Sequence, residues 1–500
     1  MAGRKRMKIL LVKPPPNRHR ISLNLYEPLD LEYLAAAVPG QEVKILDMRI
    51  EKDLQGLLER FRPHLVGVTA YTCDLKTANS ILEEVKRRDH RIRTAAGGIH
   101  ATFRPQDFSP AADEIFIGYA DKTFRQYVEA LEDGGDIGGI PNLCRRARRA
   151  RRAPEELIFT RTDSETVDLE KLPPPARHLT RHYQKRYRDF LHHRTALVMS
   201  SRGCPFRCTF CACWKLMHGK YAVRSPEAIV REIDALPDEV ELVYFSDDNT
   251  IHRTGNAQRM AELLIRGRNN RRFHIYARSD DIVRHPDLFA ALKQAGLAYV
   301  TVGLEAIRDA DLVRINKRTT VALNDEAIRI LKGLGIYINA HFIIYPDFDR
   351  ESFRALYNYL NERRLFHPAF PVLTPLPGTE LYAETRDSFV LEDTDLFDFV
   401  HSILPTRLPR REFYRQLAGL YEKSYSLRRY FTYAGRPPAA ASRAAADPVS
   451  MSAPEPNPGT SAGSCHADGI TPSALILLRL SAIIMYLKIR LAYRAERPGR

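Results

Sequence analysis

The 500-residue sequence is sparing with cysteine and with long apolar runs, and each shortage excludes a class of protein. Seven cysteines in a chain of this size are too few for a disulfide scaffold. No stretch of about 20 uninterrupted apolar residues occurs, and the longest candidate, residues 474–487, is broken by Arg479, so no spanning helix is expected. The start is basic, but its apolar run at residues 9–12 ends at Lys13 and three prolines, so no secretory leader is expected and the chain reads as cytoplasmic. At 44% hydrophobic and 27% charged residues, collagen-like, coiled-coil and wholly disordered chains are excluded. Lys and Arg outnumber Asp and Glu by 76 to 61, and the net charge of +15 suits anionic cofactors, an anionic membrane surface or nucleic acid without choosing among them.

What is present is alternation. β-Branched runs at residues 9–12, 43–47, 65–69, around 93–96 and 114–117 alternate with helical patterns at 29–38, 52–61, 76–88 and 123–131, which predicts a doubly wound parallel sheet over residues 1–140. Ligands of such sheets lie beyond the carboxyl ends of the strands, which makes Val12-Lys13-Pro14, Thr69-Ala70-Tyr71-Thr72 and Gly97-Gly98-Ile99-His100 the expected binding edge. Residues 141–190, with the basic run 145–152 and the prolines 173–175, read as a linker. The run is either a solvated segment or a contact for an anionic partner. A second alternation, with strands at 196–200, 242–245, 273–277, 299–303, 338–344 and 370–374, predicts a partial (β/α)6 barrel over residues 191–405. A helical extension is expected at 406–436 and a disordered Ala-, Pro-, Ser- and Gly-rich linker at 437–470. Residues 471–500 are apolar with Arg479, Lys488, Arg490 and Arg494 spaced along them, which fits an amphipathic interfacial helix or a helix packed on the barrel.

Cys204, Cys208, Cys211 and Cys213 crowd into ten residues directly after the first barrel strand. A loop presenting Cys204, Cys208 and Cys211 can hold three irons of a four-iron cluster and leave the fourth open to a chelating small molecule. The alternatives are a zinc site completed by Cys213, which the spacing Cys211-Ala212-Cys213 would cramp, or a group of inert buried thiols. Outside the trio, Cys213 reads as a packed thiol.

On these residues, a CxxxCxxC motif with the aromatic Phe210 just before its last Cys and a six-unit barrel around it, the sequence resembles the radical S-adenosylmethionine (SAM) superfamily. The resemblance implies a [4Fe-4S] cluster on Cys204, Cys208 and Cys211, SAM chelated by the open iron, and reductive cleavage to a 5′-deoxyadenosyl radical. It implies SAM contacts from Phe210, from Asp247 and Asp248 after the second strand where many members carry Gly-Gly-Glu, from Arg278 and Asp280 after the third, and from Gly303 and Glu305 after the fourth. Structural roles at strand ends are the alternative for each. Residues 374–379 resemble a segment common in cobalamin-dependent members, and turn formation explains their Pro and Gly equally well.

A doubly wound domain ahead of such a barrel resembles the cobalamin-binding domain of those members. Gly97, Gly98 and His100 match its Gly-Gly-x-His segment, and Gly118 follows the fifth strand, where glycine lets backbone approach a bulky ligand. A GxGxxG nucleotide fingerprint is absent. The Asp-x-His-x-x-Gly motif that supplies a cobalt ligand is also missing, because Asp47-Met48-Arg49-Ile50-Glu51-Lys52 stands in its place. Thr69, Tyr71, Thr72 and Cys73 are then left beside the corrin, with Cys73 reading equally as a small buried apolar residue.

Within this group the chain to about residue 435 is most similar to the hopanoid C-3 methylases, on residues 26–33, 202–221 and 370–379. The resemblance implies two uses of SAM, one to methylate reduced cobalamin and one to generate the radical that opens an unactivated carbon to the methyl group. It also implies a polycyclic lipid substrate, a flavodoxin- or ferredoxin-type reductant and peripheral contact with a membrane, and no nucleic acid. Enzymes acting on tetrapyrroles or antibiotic intermediates share much of the pattern. A tRNA methylthiotransferase would need a second N-terminal cysteine trio, where only Cys73 and Cys144 stand, and a bare iron–sulfur electron carrier would need neither domain.

Overall fold

A computed structural model describes residues 6–17, 19, 24–146, 156–163, 168–366 and 368–426. The expected linker at 437–470, the segment 471–500 and most of the arginine run lie outside the described residues.

The N-terminal sheet has the order β2-β1-β3-β4-β5-β6-β7. Its strands are β1 (Lys8–Lys13), β2 (Glu42–Asp47), β3 (Leu65–Thr69), β4 (Arg93–Gly97), β5 (Glu114–Phe116), β6 (Leu143–Arg146) and β7 (Leu157–Phe159), with the first five parallel. Helices α1 (Leu29–Ala36), α2 (Leu54–Phe61), α3 (Leu75–Arg88), α4 (Ile99–Phe103) and α5 (Asp121–Asp133) connect them. β1 is apolar throughout because it is covered on both faces: Leu10 and Val12 join the core under α2 and α3, while Ile9 and Leu11 join the core under α1 and α5.

The segment expected as a linker, 141–190, is integrated into the fold. β6 and β7 extend the sheet in antiparallel fashion, with Leu143 and Cys144 buried. Those two apolar residues stand immediately before the arginines, so charge concealed a strand. Farther on, the Tyr183 hydroxyl reaches Glu51, and the Tyr187 hydroxyl donates to Asp47 at 3.2 Å, tying the connection to the end of β2.

The second unit is a parallel sheet in the order β14-β13-β12-β11-β8. Its strands are β8 (Thr195–Val198), β11 (Leu242–Phe245), β12 (Arg272–Ala277), β13 (Leu297–Glu305) and β14 (Tyr337–Phe342), with a small hairpin, β9 (Ser201–Arg202) and β10 (Ala222–Val223), flanking the cysteine loop. Helices α6 (Cys213–Leu216), α7 (Pro226–Asp234), α8 (Thr254–Arg266), α9 (Ser279–Arg284), α10 (Pro286–Gln294), α11 (Asp309–Arg314), α12 (Val321–Gly333) and α13 (Arg350–Glu362) follow the strands. The expected sixth strand is reduced to two parallel bridges, His341 with Ala369 and Ile344 with Val372. Pro371 between them has no N–H to give to a ladder, so the barrel is partial. After α14 (Glu380–Thr385), α15 (Arg410–Ser424) closes the outer core, where the Tyr421 hydroxyl accepts from the Phe370 amide at 3.1 Å.

Candidate active site between the two units

The cysteine loop is fixed before any ligand arrives. Gly203 has φ +83°, and an added Cβ there would strike the Lys220 carbonyl and Met217. The Asn316 amide donates to the Arg207 carbonyl at 2.7 Å, and the Thr209 amide donates to the Ile315 carbonyl at 3.1 Å. Asp247 accepts from the Ser200 and Ser201 amides at 2.8 and 2.9 Å, and Asp248 accepts from the Gly203 amide at 3.1 Å. The two carboxylates expected to contact SAM therefore hold the turn that leads into the cysteines.

Cys208 is buried, Cys204 and Cys211 are half-buried, and no disulfide links them. Burial pushes the Cys204 thiol up to about 11 and raises Cys208, against the opposing influence of Lys317 and Arg278. Cys211 is lowered by hydrogen bonding to Cys213, whose own thiol is raised by that bond and by burial and also bonds Asp248. Three thiols on one rigid loop, with Lys317 and Arg278 close to Cys208, fit a cluster, and bound iron would supply the further positive charge that holds the buried Cys204 and Cys208 as thiolates.

At the mouth of the barrel, Glu305 stands at a bulge in β13 with φ +63°, a conformation costly for a residue with a side chain. It accepts from Lys317 Nζ at 2.7 Å, and the two residues are only 8% and 7% exposed. An added Cβ at Gly303 would fall on both of them, so the glycine makes room for this ion pair. Arg278 donates from Nε to Asp280 at 2.8 Å and from Nη2 to the Lys317 carbonyl at 2.6 Å, and lies 3.6 Å from the Phe206 ring centroid. Phe210 packs against the outer core. The expected ring of Phe210, Asp247, Asp248, Arg278, Asp280, Gly303 and Glu305 is thus gathered around the cysteine loop, but the carboxylates of Asp247, Asp248 and Asp280 face protein partners. Lys317 escaped sequence reasoning because it sits in the polar turn between α11 and α12. The trace it left is Asn316-Lys317-Arg318, whose outer two residues take φ of +51° and +55°.

Opposite this mouth lie the loops after β3, β4 and β5. Tyr71 is 48% exposed, with Lys13 Nζ 5.1 Å from its ring centroid. Lys13 in turn pairs with Asp30 at 3.2 Å, to which Thr69 also donates at 3.1 Å. His100 departs from the expectation of a ligand contact: it is 1% exposed, its Nδ1 lies 3.1 Å from Thr72 Oγ1 and its Nε2 3.4 Å from Asp107. It braces the Thr72 turn from inside. Cys73 is likewise buried, its carbonyl accepting from Asn17 at 2.6 Å. Gly98, at φ +100°, is crowded by protein, since an added Cβ would stand 2.7 Å from the Ala70 carbonyl oxygen. Gly118, at φ +73°, has nothing within 4 Å of that position, and Gly97 meets only Phe116 at 3.9 Å. The exposed Tyr71 face and the open ground at Gly97 and Gly118 fit a flat, bulky cofactor laid on this edge. At the end of β2, Arg49 grips Asp47 at 2.8 and 2.6 Å where a cobalt-ligating His would otherwise be presented.

The two halves meet through buried contacts. Arg202, beside the cysteine loop, pairs with Asp121 of α5 at 2.5 Å and lies 4.4 Å from the Tyr119 ring. Gly378, at φ +87°, sits so close to Phe103 of α4 that any side chain would enter its ring, which makes residues 374–379 a contact between the units as well as a turn.

Residues 198–360 match the Radical SAM superfamily and residues 22–128 match the B12 binding domain. The chain is therefore a radical SAM enzyme carrying a B12-binding domain ahead of its barrel. Among its relatives, hopanoid C-3 methylase of Methylococcus capsulatus is 26% identical over 428 residues, covering 84% of this chain and 80% of that one. The anaerobic magnesium-protoporphyrin IX monomethyl ester cyclase of Rubrivivax gelatinosus is 28% identical over 393 residues, covering 77% and 69%. In fold it resembles the cobalamin-dependent SAM radical enzyme OxsB, with a TM-score of 0.68 at 15% identity over 86% of this chain and 70% of that one. The radical SAM methyltransferase TsrM from Kitasatospora setae gives 0.61 at 21% identity over 77% and 75%. The two matched domains give the chain a [4Fe-4S] cluster, SAM and cobalamin as its cofactors. The B12 binding domain leaves the tRNA methylthiotransferase and the bare electron carrier without support.

Proposed function

We propose that this enzyme methylates an unactivated carbon of a polycyclic lipid, C-3 of a hopanoid. The observation that carries the reading is the opposition of two surfaces across one mouth: the Cys204, Cys208 and Cys211 loop on the barrel, and the Tyr71 and Gly118 edge of the other unit, braced by Arg202 and Asp121. When bound there, the cluster, SAM and cobalamin supply a radical able to remove hydrogen from a carbon without an acidic proton, and a methyl group to replace it. The chain's residues do the rest. The three thiols anchor the cluster, and the buried Lys317–Glu305 pair presents opposite charges at the mouth, complementary to the ammonium and carboxylate of an amino-acid ligand. Arg278, clamped by Asp280 and Phe206, keeps the third strand end fixed to the cysteine loop, so that the ligands meet in a set geometry away from water.

Such a lipid resides in membranes, so we place the enzyme at a membrane surface with a flavodoxin- or ferredoxin-type protein as electron donor. Among the described residues no helix is long and apolar enough to cross a membrane. The support for surface contact is the composition of residues 471–500, apolar with interspersed Arg and Lys. The test is incubation of the anaerobically reconstituted chain with a reductant, methyl-labelled SAM and a hopanoid. Label in a C-3 methylated product, with 5′-deoxyadenosine formed alongside, is the expected result. Label transferred to a tetrapyrrole and to no lipid would overturn the substrate assignment.

A further inference from the structure

The cysteine loop has an inward and an outward side. Inward, it faces the mouth and the other unit, where Arg202 pairs with Asp121. Outward, it is flanked by two tight turns. One joins α6 to β10 and holds His218 and Gly219 at φ +52° and +75°; the other joins α11 to α12 and holds Asn316 and Arg318 at φ +51° and +55°. Asn316 and Ile315 bond the loop at Arg207 and Thr209, and an added Cβ at Gly219 would stand 4.0 Å from Arg207 Nη2. Loop and turns therefore form one continuous surface. In the second turn Lys317 is buried towards the mouth, whereas its neighbour Arg318 is exposed.

This outer surface is cationic and partly apolar. Arg207, Arg314 and Arg318 are exposed, and Val313 is 76% exposed, more than any other large hydrophobic side chain among the described residues. Trp214, the chain's single tryptophan, is half-buried, with the charged ends of Arg207 and Lys215 lying 5.7 and 5.2 Å from its ring centroid. Its Nε1 donates to the Cys208 carbonyl at 3.4 Å, which puts the ring against the backbone of a cysteine of the trio. Asp347 neutralises Arg314 at 2.7 Å, and Glu380 neutralises Lys215 at 3.0 Å. Arg207 and Arg318 are engaged by Trp214 and by the Asn316 side chain, and make no ion pair among the described residues. Two uncompensated guanidiniums thus stand beside the thiols, facing solvent. A lone exposed valine needs no partner; this one shares its surface with those charges and a tryptophan.

We infer that the outer face built by Arg207, Trp214, Val313 and Arg318 is the docking surface for an acidic electron-carrier protein. This rests on the proposed flavodoxin- or ferredoxin-type donor and gives that donor its place. The step it serves is the transfer of one electron: the carrier's reduced flavin or iron–sulfur centre is oxidised by one electron and the cluster on the cysteine trio is reduced by one, with no bond made and no proton moved. The inward side of the loop is closed to a protein by the other unit, so a carrier reaches the thiols from outside. Arg207 belongs to the loop and directly precedes Cys208, so a partner touching it stands against the cluster's own ligands. Arginine and tryptophan are the residues that anchor protein contacts. The exposed guanidiniums complement an acidic surface and steer its approach. Redox partners meet through small, transient contacts, which one loop and two turns are large enough to provide.

The test measures binding of an acidic flavodoxin and an acidic ferredoxin to the reconstituted full-length holoprotein, by calorimetry at low ionic strength. Arg318→Glu and Val313→Asp should each weaken binding by about tenfold, and added salt should weaken the wild-type complex. Arg268→Glu is the control. Arg268 is likewise exposed, at φ +51°, but lies just before β12 at the opposite end of the strands, so this variant should bind as the wild type does. Formation of 5′-deoxyadenosine driven by dithionite should be the same in Arg318→Glu, Val313→Asp and wild type, because a small reductant needs no docking face. Unchanged carrier affinity in both variants, or equal weakening by Arg268→Glu, would overturn the inference and leave the donor reading intact. If the two variants lose binding to anionic vesicles while carrier affinity holds, the face belongs to a membrane and the inference falls. Failure of the wild type to bind either carrier or take electrons from it would remove the donor reading together with the inference drawn from it.

Discussion

At the scale of single residues, the cysteines divide by what they touch. Cys204, Cys208 and Cys211 line one rigid loop, whereas Cys213 is packed against Asp248 and Cys211. Cys208→Ala should abolish cluster assembly and 5′-deoxyadenosine formation, because an iron loses its anchor, while Cys213→Ala should keep most of its iron. Iron content and the visible spectrum of anaerobically reconstituted protein check both, and a full complement of iron in Cys208→Ala would sink the ligand assignment. The Lys317–Glu305 pair makes a different kind of prediction. Two buried charges depend on each other, so Lys317→Met alone leaves an uncompensated carboxylate and should cost about 3–5 kcal/mol of stability. The double variant Lys317→Met with Glu305→Gln should recover much of that loss in urea denaturation while still failing to retain SAM. A loss in the double variant equal to the sum of the single losses would show that the two side chains do not act as a pair.

Elements show how far sequence reasoning reaches. β1 to β5 were readable because parallel strands covered on both faces are continuous apolar runs, and the cysteine loop was readable because its spacing is chemical and needs no fold to interpret. β6 and β7 were hidden by neighbouring arginines, and the sixth barrel strand was overstated because its hydrophobicity masks the effect of Pro371 on a ladder. His100 shows the limit at the site itself. Its position after β4 was legible, but its direction was not, because Thr72 and Asp107, which turn it inward, are brought to it only by folding. Gly98 carries the same lesson with a consequence. Its tightness is towards the Ala70 backbone, so Gly98→Ala should destabilise the β3 and β4 loops in the apo-protein as well as weaken corrin retention. Hydrogen exchange at residues 70–74 of the apo-protein is the measurement, and unchanged protection would mean that the glycine serves the ligand alone.

For the whole molecule, the question is what holds the two units in register across the site. A buried charge cluster lies at their junction: Glu27 and Glu32 from the first unit, Arg177 from the connecting segment, and Arg224 and Glu232 from the barrel. Arg177 lies 3.3 Å from Glu27 and 2.8 Å from Glu232, Arg224 pairs with Glu232 at 2.6 Å, and Thr180 donates to Glu32. Three carboxyls face two guanidiniums, so the cluster is neutral only when one acid keeps its proton. Burial and then the charge of Glu27 hold Glu32 above the usual carboxylate range, against the pull of Arg177, which makes Glu32 the acid that stays protonated. A carboxyl whose affinity for its proton rises on folding adds stability that is complete below its ordinary value of 4.5 and is lost as pH climbs through the raised one. The wild-type urea midpoint should therefore fall between about pH 5 and about pH 8, and Glu32→Gln, which keeps the hydrogen bond and removes the ionisation, should flatten that fall. Because the cluster joins the two units, the same variant should also preserve retention of a preloaded corrin at the alkaline end. Parallel pH profiles in wild type and Glu32→Gln would place the shared proton on another member of the cluster.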